Sequence, residues 1–512
     1  MQVGGDLRTP PGLDVCDAAL AGKTVRIHTQ TPLDLRDLEP VTGSEPTRAP
    51  GRWFALWISL LAVLTHLPAL IRVQVFNPDE GFLATQANVL AAGGQLYQDV
   101  VDRKPPLVPV LYELAFRLTS SDALFSVRVL AVVAHIVTAL LLASIARRRW
   151  GHRAGVAAAV LYVVASAGFV PADGQAANFE VFMVPLTVLA VWFADRDRPV
   201  AGSIAVGVST LTKQVAAVTL APVAWRAWQR DGRAGLARVG IGAAVPVAAA
   251  AIWYGPGRFA FWVFTDSNGY LDPSGSLYVS GQRFLTWTGL FIGANLGAVL
   301  LLRAAWVRRR DDVDLWLWLV GAAIGVAAGL RFFGHYYLQL APPVVLLAVG
   351  ALAGATPAVW RRTAALGALS AALFVTLAFT TEPGIVRPYE RIARAVDDRT
   401  NPNDHILVWG EMPQLYWEAD RPPATRFITV GFLTGYSGGR SYERIGEEYA
   451  VSGAWDDFTA DLAAHPPAVI VDVSQHTAYA EQRFPSFTSY LHEHYRAAVM
   501  VDGALIYVPK DS

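Results

Sequence analysis

The sequence predicts a polytopic α-helical membrane domain followed by a small α/β domain outside the membrane. The first observation is composition: 53% of the 512 residues are hydrophobic and 16% are charged, against roughly 25% charged residues in soluble proteins. The second is arrangement, because the apolar residues form long runs and the mean hydropathy is +0.34, as in membrane-spanning helices. The third is a change of character from about residue 383, where charged residues and proline become common.

The charge balance argues against nucleic-acid binding, and the cysteine content excludes sites built from several cysteines. The chain has 42 Lys and Arg against 42 Asp and Glu, so its formal net charge is zero. A nucleic-acid-binding protein normally carries a basic surface, and this balance gives no support for one. Cys16 is the single cysteine, so neither a disulfide framework nor a thiolate metal site can be built.

Residues 1–52 are predicted to be a disordered cytoplasmic tail, because they are rich in Pro, Thr, Asp and Gly and have little apolar periodicity. They lack the basic and then apolar pattern of a cleavable signal peptide. The first apolar run, at about 53–73, is long enough to span the membrane and is predicted to remain there.

The membrane domain is predicted to cover residues 53–382 and to contain eleven spans. Several candidates are shorter than the roughly 20 residues of a straight span, so neighbouring helices or a wet cavity must shield their ends. The candidate spans are about 53–73, 125–146, 154–171, 180–194, 199–212, 214–228, 237–255, 284–304, 314–330, 338–355 and 363–380.

Arginine-rich loops predict the orientation, since cytoplasmic loops of membrane proteins carry an excess of basic residues. The protein is predicted to lie in the plasma membrane with its N-terminus in the cytoplasm, which places all of the arginine-rich loops inside. Eleven spans then place the C-terminus outside. The segment 105–118 is predicted to be an amphipathic helix on the outer interface, within an outer loop at about 74–123. The basic loops are 147–153, 196–198, 226–238, 303–310 and 361–362.

The C-terminal segment, 383–512, is predicted to be an extracytoplasmic α/β domain. "HILVWG" (405–410) and "PAVIVDVS" (467–474) have the composition of buried strands. "FTADLAAHP" precedes the second strand as a helix would. "AAVMVDGALIYV" (497–508) predicts a hairpin with Asp-Gly at its turn.

Two acids directly follow the first span, in "NPDEGFLATQANVL". Asp79 and Glu80 fit a helix start, because Asp is a favourable N-cap residue. They also fit a catalytic site, because a carboxylate at the mouth of a low-dielectric cavity can serve as a general base. The residues alone leave both interpretations open.

Other charged residues follow on the same predicted outer side, and each also has a structural interpretation. Lys104 precedes Pro105-Pro106, and either snorkels to the interface or binds a phosphate. Glu180 begins a span, where a carboxylate also suits the helix dipole. Lys213 lies in "LTKQ" between two short spans.

"RFFGHYYLQLAPP" (331–343) places Arg331, His335 and Tyr336 at the outer end of another span. The segment fits an aromatic belt with an anchoring arginine. It equally fits a phosphate clamp, because the planar guanidinium can bind two oxygens. An outer pocket that holds both carboxylates and cations suits glycosyl transfer from a lipid-linked phosphosugar.

The outer loop also resembles a known family. Asp79-Glu80, Tyr97-Gln98-Asp99 and Lys104-Pro105-Pro106 are similar to the first outer loop of bacterial glycosyltransferases of the protein-O-mannosyltransferase and aminoarabinose-transferase superfamily (families 39 and 83). "NFEVFMVP", "LTKQ" and "RFFGHYYLQLAPP" resemble later motifs of that superfamily. The resemblance covers about 53–355 and implies the GT-C fold.

The resemblance implies Asp79 as the catalytic carboxylate, with Glu80 beside it. It implies a polyprenyl-phosphate-linked sugar as donor and an inverting transfer to an acceptor hydroxyl or amine of an envelope glycan, lipid or protein. It names no certain cofactor and leaves a divalent metal ion open. No β-trefoil is inserted between the spans, and this departure leaves the acceptor open. The implied substrate-binding residues are Tyr97, Asp99, Asp102, Lys104, Glu180, Lys213, Arg331, His335 and Tyr336.

Two other function classes compete with the transferase. A polytopic lipid or solute transporter or flippase predicts pseudo-symmetric repeats and ionisable groups near the bilayer midplane. The sequence shows no such repeat, and its polar groups cluster at one predicted face. A sensor or scaffold anchored by its spans leaves the charged outer loop unexplained.

Overall fold

The computed structural model describes residues 51–72, 75, 77–265, 277–380, 386–436 and 444–511, with 386–388 as backbone only. Nearly all of the predicted N-terminal tail, 1–52, lies outside the described residues. The longer helices are α1 Arg52–Thr65, α2 Pro78–Ala91, α3 Leu107–Thr119, α4 Leu124–Trp150, α5 His152–Ala167, α6 Phe179–Ala194, α7 Pro199–Thr210, α8 Leu220–Tyr254, α9 Leu277–Ala294, α10 Leu296–Val307, α11 Val313–Ala327, α12 Ala341–Leu352, α13 Pro357–Thr380, α14 Val386–Asp397, α15 Ala454–Ala464 and α16 Pro485–His494.

Each of the eleven apolar segments predicted as spans contains a helix of the described chain. In the part of the chain that the structure describes, five helices are long and apolar enough to cross a membrane by themselves, and a sixth span results if α9 and α10, which meet at 87°, are counted as one. α1, α5, α6 and α7 are shorter apolar helices. α8 covers parts of two predicted segments, 214–228 and 237–255, and is broken between them at Gly232, whose φ of 56° and ψ of −135° are not helical.

Small residues allow the apolar helices to pack closely, as is common between helices in membranes. α4 packs against α5 and α6, and α7 packs between α6 and α8. A Cβ atom added at Gly202 in α7 would meet the carbonyl oxygen of Ala190 in α6 at 2.6 Å. A Cβ atom added at Gly155 in α5 would meet the carbonyl oxygen of Ala143 in α4 at 2.9 Å.

Ion pairs tie several helix ends together at the Arg-rich side of the bundle. Arg149, at the end of α4, donates to Asp195 at 2.8 Å and to Asp314 at 2.5 Å. Arg226 in α8 donates to the same Asp314 carboxylate at 3.0 Å. Asp195 follows the last residue of α6, so this cluster lies at the opposite end of α6 from Glu180.

The outer loop is built from α2 and α3 with an irregular segment between them. Asn77 caps α2, because its side-chain oxygen accepts a hydrogen bond from the backbone N–H of Asp79 at 3.0 Å. Pro78 occupies a first-turn position, where the backbone N–H that proline lacks would have no partner within the helix. Asp79 and Glu80 then fall in the first turn, which favours negative charge. The segment 105–118 forms α3, as a helix was predicted there.

The C-terminal segment contains a four-stranded sheet of order β1-β2-β4-β3, where β1 is Ile406–Trp409, β2 Val469–Asp472, β3 Tyr495–Val501 and β4 Ala504–Pro509. β1 and β2 are parallel, and β3 and β4 form an antiparallel hairpin. Its turn is Asp502-Gly503, both with positive φ, as the sequence predicted. α15 connects into β2, again as predicted.

The sheet domain is docked on α2. The short helix Gln414–Glu418 packs against α2, and the Thr85 hydroxyl donates to the carbonyl of Pro413 at 2.9 Å. Gly81 provides the space, since a Cβ atom there would lie 2.9 Å from the Cα atom of Gln414. The helix that carries Asp79 is therefore held between the membrane helices and the C-terminal domain.

Candidate active site

A cavity of about 630 Å³ lies where the outer loop, the membrane helices and the C-terminal domain meet. Its charged wall comes from the membrane side and includes Asp79, Lys104 and Lys213. The opposite wall comes from the C-terminal domain and includes Glu411 and Phe432. The mixture of apolar rings with a few polar groups is typical of a small-molecule site.

Asp79 and Lys104 form the first ion pair of this cavity. The Lys104 ammonium lies 3.5 Å from an Asp79 carboxylate oxygen, and both side chains are 27% exposed. The same ammonium lies 3.9 Å from the ring centroid of Phe179, within the range of a cation–π contact. Asp79 is placed by the start of α2, and Lys104 by the stiff Pro105-Pro106 that follows it.

Glu180 and Lys213 form the second ion pair. The ammonium of Lys213 contacts the Glu180 carboxylate directly, and Glu180 is fully buried. Lys213 also lies 3.6 Å from the ring centroid of Tyr336. Glu180 therefore reaches the cavity only through Lys213, which lines it.

His335 connects the first pair to a third acid, Asp173. The His335 Nδ1 atom lies 2.9 Å from Asp173 Oδ1, and the backbone N–H of His335 donates to the same oxygen at 2.9 Å. On its other side, His335 Nε2 lies 3.9 Å from Asp79 Oδ2. A carboxylate that holds one ring nitrogen orients the other, so Asp173 aims His335 at Asp79.

The cations hold Asp79 in its charged form. Burial alone would raise the pKa of the Asp79 carboxyl, but Lys104, His335 and Lys213 together outweigh burial and hold that pKa below its usual range. Asp102, which also lines the cavity, behaves oppositely: burial raises its pKa, and the nearby Lys104 offsets this rise only in part.

Glu80 does not face the cavity. Both of its oxygens accept hydrogen bonds from Arg128, at 3.0 and 2.7 Å, and neither side chain is exposed. Its Oε1 also accepts the backbone N–H of Ala177 at 2.9 Å. The carboxylate predicted to act beside Asp79 is thus fully engaged in joining α2 to α4 and to the segment before α6.

Five other predicted residues do not line this cavity: Glu180 and His335, which lie behind Lys213 and Asp79, and Tyr97, Asp99 and Arg331. Tyr97 has a φ of 68° and donates its hydroxyl to the carbonyl of Lys104 at 2.8 Å, so it shapes the loop that carries Lys104. Asp99 accepts the backbone N–H of Gln95 at 2.8 Å and closes a turn. Arg331 is buried, and it is not part of the cavity lining.

Sequence reasoning missed Asp173, Glu411, Arg103 and Gln214. Arg103 and Gln214 line the cavity, and the Gln214 side chain donates to the carbonyl of Arg103 at 2.7 Å. Arg103 directly precedes Lys104 and Gln214 directly follows Lys213, so adjacency to predicted residues was a usable signal. No local pattern marks Asp173 or Glu411, because each joins the site through long-range packing.

Within the described ranges, no group of three His, Cys, Asp or Glu side chains is placed to hold a metal ion. The carboxylates of the site are instead paired with Lys104, Lys213 and His335.

The chain is similar to known glycosyltransferases in part of its sequence and in its fold. A family model described as dolichyl-phosphate-mannose-protein mannosyltransferase matches residues 103–253. No curated protein matches the chain in sequence. The crystal structure of ArnT from Cupriavidus metallidurans bound to undecaprenyl phosphate has a TM-score of 0.61 and 15% identity, over 89% of this chain and 97% of that one. The chain has a GT-C fold.

A second structure supports the same fold. The Archaeoglobus fulgidus oligosaccharyltransferase in complex with Zn and sulfate has a TM-score of 0.52 and 12% identity, and the match covers 87% of this chain and 71% of that one. The resemblance to GT-C glycosyltransferases predicted from the outer-loop motifs is confirmed. The chain thus shares the fold of these glycosyltransferases, and residues 103–253 match a mannosyltransferase family model.

Proposed function

We propose that this protein transfers a sugar from a polyprenyl-phosphate-linked donor to an acceptor hydroxyl or amine at the outer face of the plasma membrane. The observation that carries the proposal is the pairing of Asp79 with Lys104 in a cavity enclosed by the outer loop and the C-terminal domain. In the proposed orientation, the Arg-rich helix ends are cytoplasmic and the C-terminal domain is extracytoplasmic.

The donor phosphate is proposed to bind at Lys104 and Lys213. Both ammonium groups line the cavity, and each is held over an aromatic ring, Phe179 for Lys104 and Tyr336 for Lys213. Ammonium groups are common phosphate ligands. Undecaprenyl phosphate is the molecule bound in the ArnT structure, and a polyprenyl-phosphate sugar is the matching donor class for this chain.

Asp79 is proposed as the general base. The acceptor hydroxyl attacks the anomeric carbon, its proton passes to Asp79, and the bond between that carbon and the phosphate oxygen breaks. A low pKa does not prevent this role, because the hydroxyl becomes strongly acidic as its oxygen bonds to carbon. A single displacement of this kind inverts the anomeric centre.

The ion pair with Lys104 links proton uptake by Asp79 to the departure of the phosphate. Asp79 loses its negative charge when it takes the proton, while the leaving phosphate gains one. Lys104 lies 3.5 Å from Asp79, so its positive charge is then compensated by the phosphate instead of the carboxylate. The charge of the cavity stays constant during transfer, which avoids a net buried charge.

His335 and Asp173 are proposed to position Asp79, and Glu180 to position Lys213. Tyr336 supports Lys213 through its ring. Asp102 lines the same cavity and is proposed to contact the sugar. Tyr97 and Asp99 are proposed to shape the outer loop, and Glu80 to stabilise the fold through Arg128.

The test uses the purified full chain in nanodiscs with radiolabelled polyprenyl-phosphate sugars and a crude envelope acceptor. Wild type is expected to release sugar from the lipid, and Asp79→Asn to lose at least about 10²-fold in rate, the usual contribution of a general base. Glu113→Gln is the matched control, because Glu113 pairs with Arg117 on the surface of α3. Full turnover by Asp79→Asn, or retained anomeric configuration in the product, contradicts the mechanism.

A further inference from the structure

The wall that the C-terminal domain contributes to the cavity contains a carboxyl group the proposed mechanism does not use. Glu411 lies just after β1 and faces the cavity beside Gly431 and Phe432. Its Oε1 atom is inaccessible to solvent and has no hydrogen-bond partner among the described residues. Such oxygens are uncommon in folded proteins, because a buried polar atom without a partner has lost its hydrogen bonds to water and has gained none in the protein.

The surroundings of Glu411 favour its neutral form. Burial raises the pKa of Glu411 to about 8, and the positive charge of Arg103 and a hydrogen bond from the Gly431 backbone offset this rise only in part. The Arg103 guanidinium lies over the ring of Phe432, 4.5 Å from the centroid. At neutral pH the Glu411 side chain therefore carries an O–H donor together with an acceptor oxygen.

We infer that Glu411 is an acceptor-binding residue, and that the C-terminal domain supplies a neutral subsite for sugar hydroxyls opposite the charged phosphate subsite. The inference rests on the proposed function, since it assigns the acceptor side of the same cavity. A neutral saccharide fits this wall, because a protonated carboxyl can donate to one hydroxyl and accept from another. Thr429 adds a further hydroxyl and Phe432 an apolar ring to the lining.

The position of this subsite relative to Asp79 is fixed by direct contacts. Pro413, two residues after Glu411, accepts the hydrogen bond from Thr85 at 2.9 Å. Gly81, two residues after Asp79, packs on Gln414. Asp79, the proposed general base, and Glu411, the proposed acceptor-binding residue, are thus held by the same first two turns of α2, which suits a reaction that joins two substrates.

The experiment separates transfer to a saccharide from release to water, using the full chain in nanodiscs with radiolabelled undecaprenyl-phosphate mannose and methyl α-D-mannopyranoside. Glu411→Ala is expected to raise the KM for the glycoside roughly five- to tenfold, the effect of one lost hydrogen bond, while release to water is unchanged. Glu411→Gln keeps an N–H donor and is expected to restore most of the affinity. Glu418→Gln is the control, because Glu418 is an exposed carboxyl of the same domain.

An unchanged KM in Glu411→Ala overturns the inference, as does an equal loss of transfer and release. A labelling measurement covers the case in which wild type releases no sugar from any lipid donor, which would refute the proposed function itself. Dicyclohexylcarbodiimide modifies protonated carboxyl groups in apolar sites, and mass spectrometry reports its attachment to Glu411. Slower labelling with methyl α-D-mannopyranoside supports the saccharide subsite, and labelling that the glycoside does not slow refutes it.

Discussion

The buried ion pair between Glu80 and Arg128 allows a structural role of Glu80 to be separated from a catalytic one. Both side chains are completely buried and joined by two hydrogen bonds. Arg128→Met removes the cation and leaves the Glu80 carboxylate with the backbone N–H of Ala177. An uncompensated buried charge of this kind costs about 3–5 kcal/mol in the free energy of unfolding.

The double variant Glu80→Gln/Arg128→Met is expected to recover the part of this loss that comes from the unpaired charge, but not the hydrogen bonds that Arg128 donates to the carbonyls of Ala69 and Arg72. The glutamine side chain is neutral and can still accept the hydrogen bond from Ala177, and replacing a buried ion pair with uncharged groups of similar volume is often nearly neutral. The free energies of unfolding are measured by SDS titration in mixed micelles, for wild type, both single variants and the double variant.

Sugar release is measured on the same four proteins. If Glu80 only stabilises the fold, the double variant is folded and releases sugar at close to the wild-type rate. A double variant that is stable but inactive would refute this reasoning, because Glu80 would then act in the chemistry. Equal stability of all four proteins would refute the estimate of the ion-pair energy.

Three more predictions concern the docking of the C-terminal domain and the charges of the cavity. Gly81→Ala places a Cβ atom 2.9 Å from the Cα atom of Gln414, so an overpacking cost of about 1–3 kcal/mol should expose the C-terminal domain to limited proteolysis; an unchanged digestion pattern contradicts this. Lys104→Ala removes a cation that lowers the Asp79 pKa, so the acidic limb of the pH–rate profile should move to higher pH, and an unmoved limb rules out Asp79 as the group that titrates. The pKa of Glu411 is raised from 4.5 to about 8 in the folded protein, so the apparent Tm of wild type should fall as pH rises across this window, whereas that of Glu411→Gln should not; parallel profiles contradict the assignment.

Much of the fold follows from local patterns. The hairpin β3–β4 was predicted because Asp502-Gly503 suits a turn with positive φ at both residues. The break in the helix at Gly232 likewise falls inside the basic loop, 226–238, that was predicted between two spans.

The candidate site was only partly predictable. The outer-loop motif led to Asp79 and Lys104, which the structure brings to 3.5 Å. The same motif could not distinguish Asp79 from Glu80, because neighbours on a helix point about 100° apart and only packing decides which one faces the cavity. Asp173 and Glu411 were missed because their proximity to the site depends on contacts between segments far apart in the chain.

The most direct test of the central claim is a cryo-electron microscopy structure of the full chain in nanodiscs with undecaprenyl phosphate. The account predicts phosphate density within hydrogen-bonding distance of Lys104 in the cavity beside Asp79, and loss of that density in Lys104→Ala. A phosphate bound elsewhere, with the cavity unchanged, would contradict the assignment of this cavity as the donor site.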